Sequence, residues 1–287
     1  MSSLETIAAS RGVLGVIGHP VSHSLSPRIH NAAFQAQSLG LVYVAFDVPP
    51  DRLPAAMAGI RALGIRGVNV TLPHKQAVLP CLDEVSPLAD RVGAVNTVVN
   101  DEGSLVGHNT DVLGFQKALR SLLPQGAYGR RCLVVGAGGA ARAVVAAMVE
   151  DGAVQVWVCN RTHERAVQLC AAAAAWGRTA CEAVPLDRLR EVTMPAEVLV
   201  NATSLGLAGA VKELALPVDT IHSGHVVVDL VYSNSVTPLV SEARVRGAST
   251  TDGMEMLVMQ AAESYSLWTG LRPPVDVMRE SVRRGEG

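Results

Sequence analysis

The chain has 287 residues, 24 basic and 26 acidic side chains and a net charge of −2, and 49% of it is hydrophobic with only 3% aromatic. That apolar content excludes a disordered chain, and at about 150 residues per domain the length predicts two domains, each able to bury a core. The near-neutral charge, with no Lys/Arg block, argues against a nucleic-acid or membrane-surface partner, because such binders concentrate positive charge; a small molecule is the expected partner.

Short β-branched runs at 13–17, 42–48, 67–70, 132–135, 154–159, 198–200 and 226–231 alternate with Ala/Leu-rich stretches. This is the βαβ rhythm of parallel sheets with helices on both faces. After the first run, His23-Ser24-Leu25-Ser26-Pro27 precedes a helix with Ile29, Ala33, Ala36 and Leu39 on its apolar side. Ser26 is the predicted N-cap and Pro27 a first-turn residue; capping alone explains Ser26, whereas two hydroxyls at a helix N-terminus also suit a carboxylate. After the third run comes Asn69-Val70-Thr71-Leu72-Pro73-His74-Lys75, where Pro73 is predicted to open a helix with Lys75 in its first turn. The helix dipole disfavours a cation there by up to about 1 kcal/mol, so Lys75 either reaches water or is kept for chemistry. Gly93-Ala94-Val95-Asn96-Thr97 offers an amide at a strand start, and His108-Asn109-Thr110-Asp111 marks the predicted boundary between a domain of residues 1–110 and one of residues 111–252. Asp111 either caps the helix beginning at Val112 or serves Lys75 as a partner that orients it and tunes its proton affinity.

Residues 131–135 read as a buried strand, followed by Gly136-Ala137-Gly138-Gly139-Ala140-Ala141 and an apolar helix. Strand, glycine turn and helix make the dinucleotide fingerprint: Gly136 allows the turn, Gly138 lets backbone approach a pyrophosphate, and the helix N-terminus supplies N–H donors. The next strand ends in Asn160-Arg161-Thr162-His163-Glu164-Arg165. An NAD binder places an acid there for the ribose hydroxyls; Arg161, Thr162 and Arg165 suit a 2′-phosphate instead, which favours NADP over NAD. A last helical stretch, 254–269, carries Met256, Leu257, Gln260 and Ala261 at helix spacing before Gly270 and Pro273-Pro274. The five cysteines, Cys81, Cys132, Cys159, Cys170 and Cys181, contain no C-x-x-C pair, so neither a disulfide framework nor a metal site is expected. No stretch approaches the roughly 18 apolar residues of a membrane span, and the expected location is the cytoplasm.

In this order the motifs resemble the shikimate dehydrogenase family: Ser24-x-Ser26-Pro27, Asn69-Val70-Thr71-x-Pro73-x-Lys75, Gly93 to Thr97, Asn109-Thr110-Asp111, the glycine loop, Asn160-Arg161-Thr162, Asn201-Ala202-Thr203-Ser204, and Gly253 through Met256 to Gln260. The resemblance implies two α/β domains, an N-terminal substrate-binding domain and a Rossmann NADP-binding domain with a cleft between them, and residues 253–287 returning as helices to the substrate domain. It implies NADP-dependent, reversible reduction of 3-dehydroshikimate to shikimate on the way to chorismate and the aromatic amino acids, with Lys75 and Asp111 as the catalytic pair. Ser24 and Ser26, helped by Tyr232, would bind the substrate carboxylate; Thr71, Lys75, Asn96, Asp111 and Gln260 would bind its ring hydroxyls or carbonyl. Gly136, Ala137, Gly138, Gly139 and Ala140 would take the pyrophosphate, Asn160, Arg161, Thr162 and Arg165 the adenosine phosphate, and Thr203, Val231, Gly253 and Met256 the nicotinamide half. The chain departs from the family's commoner pattern at Val112, at Leu207 and at Ser233-Asn234-Ser235, the last replacing an Asn-Pro pair after Tyr232. The alternatives are a quinate/shikimate dehydrogenase with relaxed substrate and cofactor choice, an aminoshikimate-pathway relative, and a non-catalytic NADP sensor. Monomer and homodimer are both compatible with the sequence.

Overall fold

The computed structural model describes residues 12–203, 205, 215–231 and 236–283. They divide into two compact units, one made of residues 12–109 and 261–283, the other of residues 110–260. Ser204, Leu207, Tyr232 and residues 233–235 lie outside the described residues.

The first unit opens with β1 (Gly12–Gly18), α1 (Ser26–Ala36), β2 (Leu41–Asp47), α2 (Leu53–Ala62) and β3 (Gly67–Val70), and continues with β4 (Glu84–Val85), α3 (Pro87–Val92), β5 (Thr97–Asp101) and β6 (Ser104–His108). Its sheet has the order β2-β1-β3-β5-β6-β4. The runs expected to pair in parallel, β1, β2 and β3, do so, and the structure adds strands outside those runs: β5 runs antiparallel to both β3 and β6. The reason is local. Asp101 pairs with Ser104 across Glu102 and Gly103, whose φ values of 49° and 98° make the tight hairpin turn that joins antiparallel strands, and no crossover helix can form in so short a link. Leu53, Met57 and Ile60 fall on one side of α2 and pack with Ile17, Val68, Val70 and Val98 of the sheet, each such side chain contributing about 1.5–3 kcal/mol by leaving water.

A correction concerns residues 72–78, predicted to be helical after Pro73. They form turns that lead into a 3-10 turn at Leu79–Cys81. Pro80 removes a donor soon after Pro73, and although the Val78 N–H bonds four residues back to His74, those of His74, Leu79 and Cys81 bond three back, to Thr71, Gln76 and Val78.

The second unit contains α4 (Asp111–Arg120), β7 (Arg131–Val135), α5 (Gly139–Asp151), β8 (Gln155–Cys159), α6 (His163–Ala173), β9 (Ala180–Val184), α7 (Leu189–Thr193), β10 (Val198–Asn201), β11 (Val226–Asp229), α8 (Pro238–Val245) and β12 (Ser249–Thr251). The strand order is β12-β11-β10-β7-β8-β9 and every pair is parallel. This is the doubly wound Rossmann arrangement, with its order reversing between β7 and β10. Strands β10 and β11 are buried along their whole length, which is why they read as continuous Val/Leu runs. The buried carboxylate of Asp151 fixes the end of α4 to α5, accepting from Gln116 Nε2 (3.1 Å) and Arg120 and from the Ala127 N–H (3.1 Å).

Helix α9 (Gly253–Thr269) passes from the second unit into the first at Gln260, and α10 (Val275–Arg283) ends the described chain. Within the first unit, the Trp268 indole donates to the Val98 carbonyl (3.0 Å), Gln37 donates to that of Arg272 (2.9 Å), and Arg28 donates to that of Ser281 (2.8 Å).

Candidate active site

The topology of the first unit gathers its candidate residues at one edge of the sheet. Ser24 and Ser26 follow the carboxyl end of β1, and Thr71 and Lys75 follow that of β3. Because β5 is antiparallel, Asn96 at its amino end reaches the same edge, where Thr97 pairs with Asn69 on one side and His108 on the other. Ser26 is not the N-cap it was expected to be. Leu25, in αR conformation, occupies that position, and the Ser24 hydroxyl accepts the Ser26 N–H (3.3 Å), while Ser26 turns inward, 6% exposed, beside the Tyr43 phenol.

Lys75 sits in the turn segment, so the helix-dipole argument does not apply to it; its placement comes from anchors on either side. The Lys75 carbonyl accepts the Val95 N–H (2.8 Å), and the buried His74 ring meets the Val48 carbonyl through Nε2 (2.7 Å). The loop is thereby held before any substrate arrives. Beneath the edge lies a buried polar network that the motifs did not reveal. Asn69 accepts from the Tyr43 hydroxyl (2.6 Å), and its Nδ2 lies within hydrogen-bond distance of the Asn96 carbonyl (3.1 Å), Thr97 Oγ1 (3.1 Å) and Ser264 Oγ (3.0 Å), sharing its two hydrogens among them. Thr97 also donates to Asn96 Oδ1 (3.2 Å), which helps fix the amide expected to face substrate. His30 stacks on Tyr43 with ring centroids 4.4 Å apart, and burial pulls its pKa down to about 3, opposed by the Asn69 side chain.

In the second unit the candidate cofactor residues all follow carboxyl ends of parallel strands: the glycine loop after β7, Asn160 to Arg165 after β8, Thr203 after β10, Val231 after β11 and Gly253 after β12. This end of such a sheet is where nucleotides bind. Gly136 has φ 124°, and a Cβ there would stand 2.7 Å from the Ala202 carbonyl oxygen, so only glycine suits. A Cβ at Gly138 would meet nothing within 4 Å, leaving open space, and α5 begins with no side-chain cap. Open space beside uncapped N–H donors suits a pyrophosphate. Asn160 Nδ2 donates to the Thr162 carbonyl (2.8 Å) and shapes the turn after β8, where Arg161 and Arg165 are exposed and neither pairs with a carboxylate among the described residues. These guanidiniums suit a 2′-phosphate. The Thr203 N–H and hydroxyl both donate to Asn201 Oδ1 (3.0 and 2.7 Å). Gly253 is pressed against the Leu230 carbonyl, and its N–H donates to that of Val231 (3.2 Å).

Asp111 is the first residue of α4, with Thr110 in the capping position, so the alternative that Asp111 caps this helix is corrected. It is 4% exposed. One turn on, Gly114 lies so near α9 that a Cβ would stand 2.8 Å from Cβ of Gln260, which puts Asp111 and Gln260 on adjoining helices of the second unit. Gln260 Nε2 donates to the Leu257 carbonyl (2.9 Å), and Met256 is buried on the same helix.

Residues 16–98 match the model of the shikimate dehydrogenase substrate binding domain, 119–257 that of shikimate / quinate 5-dehydrogenase, and 253–283 that of the shikimate 5′-dehydrogenase C-terminal domain. The NADP(+) shikimate dehydrogenase of Moorella thermoacetica is 46% identical over 98% of this chain and 96% of its own. The chain belongs to the shikimate dehydrogenase family. Among solved structures of similar proteins, shikimate 5-dehydrogenase from Thermus thermophilus in complex with NADP(H) and shikimate gives a TM-score of 0.83 at 42% identity, covering 95% of this chain and 99% of that one. Quinate dehydrogenase from Corynebacterium glutamicum in complex with NAD gives 0.87 at 37% identity, covering 94% and 98%. Family membership is thus shared with proteins of two substrate names and two cofactors. Among the described residues no helix is long and apolar enough to cross a membrane, and no group of three or more His, Cys, Asp or Glu could hold a metal.

Proposed function

We propose that the protein catalyses the NADP-dependent, reversible reduction of 3-dehydroshikimate to shikimate, on the way to chorismate and the aromatic amino acids. The observation that carries this reading is the single sheet edge bearing Ser24, Ser26, Thr71, Lys75 and Asn96, a set of hydroxyls, an amide and an ammonium suited to a small hydroxylated carboxylate. NADP is favoured over NAD by Arg161, Thr162 and Arg165 at the end of β8, with no acid at that strand end.

When bound, the nicotinamide supplies or accepts the hydride. Ser24 and Ser26 hold the substrate carboxylate, while Thr71, Asn96 and Gln260 bind ring oxygens and Tyr232 assists at the carboxylate. Negative charge grows on the C3 carbonyl oxygen as it is reduced, and the Lys75 ammonium stabilises it and gives it a proton. Asp111 binds a ring hydroxyl and completes the acid–base pair. In the second unit the glycine loop holds the pyrophosphate, and Thr203, Val231, Gly253 and Met256 frame the nicotinamide side.

Lys75→Met and Asp111→Asn test these roles in the oxidation of shikimate with NADP⁺. Loss of general acid–base catalysis should lower kcat about 10²–10⁴-fold with a much smaller change in KM for shikimate. Near-normal turnover by either variant would remove that residue from the chemistry.

A further inference from the structure

We infer that Asp229 is a positioning residue for the nicotinamide half of the cofactor, an inference that rests on the function just proposed. Asp229 ends β11 and is 0% exposed. Its Oδ1 accepts from Asn201 Nδ2 (2.8 Å) and the Val231 N–H (3.2 Å), and its Oδ2 accepts from the Thr237 hydroxyl (2.6 Å).

Asn201 and Thr237 are each held in this orientation by their other hydrogen bonds. Asn201 Oδ1 receives both the N–H and the hydroxyl of Thr203, so its amide cannot turn over without placing donors against donors. Thr237 accepts the Val240 N–H (3.3 Å) as the N-cap of α8, so its own hydrogen goes to Asp229. The Thr203 oxygen accepts the Leu205 N–H (3.1 Å), while Asn201 Nδ2 also donates to the Leu205 carbonyl (3.1 Å). One acceptor-only carboxylate therefore ties the segment after β10, the segment after β11 and the start of α8 into a single geometry. Burial, helped by Asp252, pushes the Asp229 pKa up, and these donors oppose it.

The location gives the network its purpose. The glycine loop after β7 faces Ala202, which precedes Thr203, and in the function just proposed the end of β8, on the other side of β7, takes the adenosine side. In a doubly wound sheet the other half of a dinucleotide then lies over β10 and β11, where Asp229 sets Thr203 and Val231. Stability by itself does not call for a charge here, since a buried ionic group is often replaced by apolar packing without loss.

The test compares Asp229→Asn, Thr237→Val and Thr237→Ser with the wild-type protein. NADPH binding is followed by its fluorescence, and binding of 2′-phospho-ADP-ribose, which lacks nicotinamide, by calorimetry. Asp229→Asn presents an NH₂ where only acceptors serve and should weaken NADPH about tenfold while leaving 2′-phospho-ADP-ribose within about twofold. Thr237→Ser should match the wild-type protein and Thr237→Val should fall between. NADPH affinity unchanged in Asp229→Asn, or equal loss of both ligands, would overturn the inference, because a purely structural buttress does not discriminate between the two halves. If Asp229→Asn does not fold, Thr237→Val and Thr237→Ser decide, and equal NADPH affinity in the two overturns it. Wild-type protein that binds no NADPH would overturn the proposed function and this inference with it, a result distinct from wild-type binding that the variants match.

Discussion

Replacing His30 with leucine should make the protein markedly less sensitive to acid. The His30 ring is fully buried between Tyr43 and Trp268, with centroids 4.4 and 5.2 Å away. Burial lowers its pKa from 6.5 to about 3. Between those values the unfolded chain binds a proton that the native chain does not, so stability falls as pH drops below 6.5 and the loss is complete below about 3. At about 1.4 kcal/mol per pH unit, going from pH 7.5 to 5.0 should cost the native state about 2 kcal/mol through this one group. Urea unfolding at the two pH values measures it directly. The wild-type protein should lose about 2 kcal/mol more than His30→Leu on acidification, whatever the variant's stability at pH 7.5. Equal losses in the two proteins would show instead that the buried His30 ring takes up a proton as readily as it does in the unfolded chain, and would refute the reasoning.

Arg161→Ala should raise KM for NADP⁺ about tenfold or more and leave any rate with NAD⁺ almost unchanged, because only NADP⁺ carries the 2′-phosphate; parallel loss with both cofactors would place Arg161 elsewhere. Gly136→Ala forces a side chain into left-handed backbone and against the Ala202 carbonyl, and should lower cofactor affinity and melting temperature together, a change of at least about 1–3 kcal/mol that titration and melting would detect. Gly114→Ala places a methyl 2.8 Å from Cβ of Gln260, so KM for shikimate should rise several-fold with kcat less affected, and steady-state kinetics would reveal it.

The elements that could be read in advance are those with one dominant local cause. Strands β7, β10 and β11 are covered on both faces and must be continuous apolar runs. Strands β9 and β12 lie at the sheet edges, carry Glu182, Ser249 and two threonines, and lack that signature. The hairpin after Asp101 was signalled only by Gly103, and the segment after Pro73 failed to become a helix because Pro80 and its i→i+3 bonding outweighed the N-terminal proline. Among the candidate site residues, loop motifs such as Asn69 to Lys75 announce themselves by unusual composition. Their supports do not. Tyr43 sits in an apolar run as any core residue would, and Ser264 meets Asn69 across 195 positions of sequence, a pairing with no local trace. Asp229 likewise ends an ordinary valine strand, and its role emerges only when Asn201, Val231 and Thr237 are seen around it.

The most direct test of the account is a set of four initial rates, shikimate or quinate each with NADP⁺ or NAD⁺, followed by the absorbance of reduced nicotinamide. If the guanidiniums after β8 discriminate the cofactor and the polar residues after β1 and β3 the substrate, as proposed, shikimate with NADP⁺ should exceed every other combination by about tenfold or more. Comparable rates with quinate or NAD⁺ would contradict the proposed specificity, and no rate in any combination would contradict the proposed reaction.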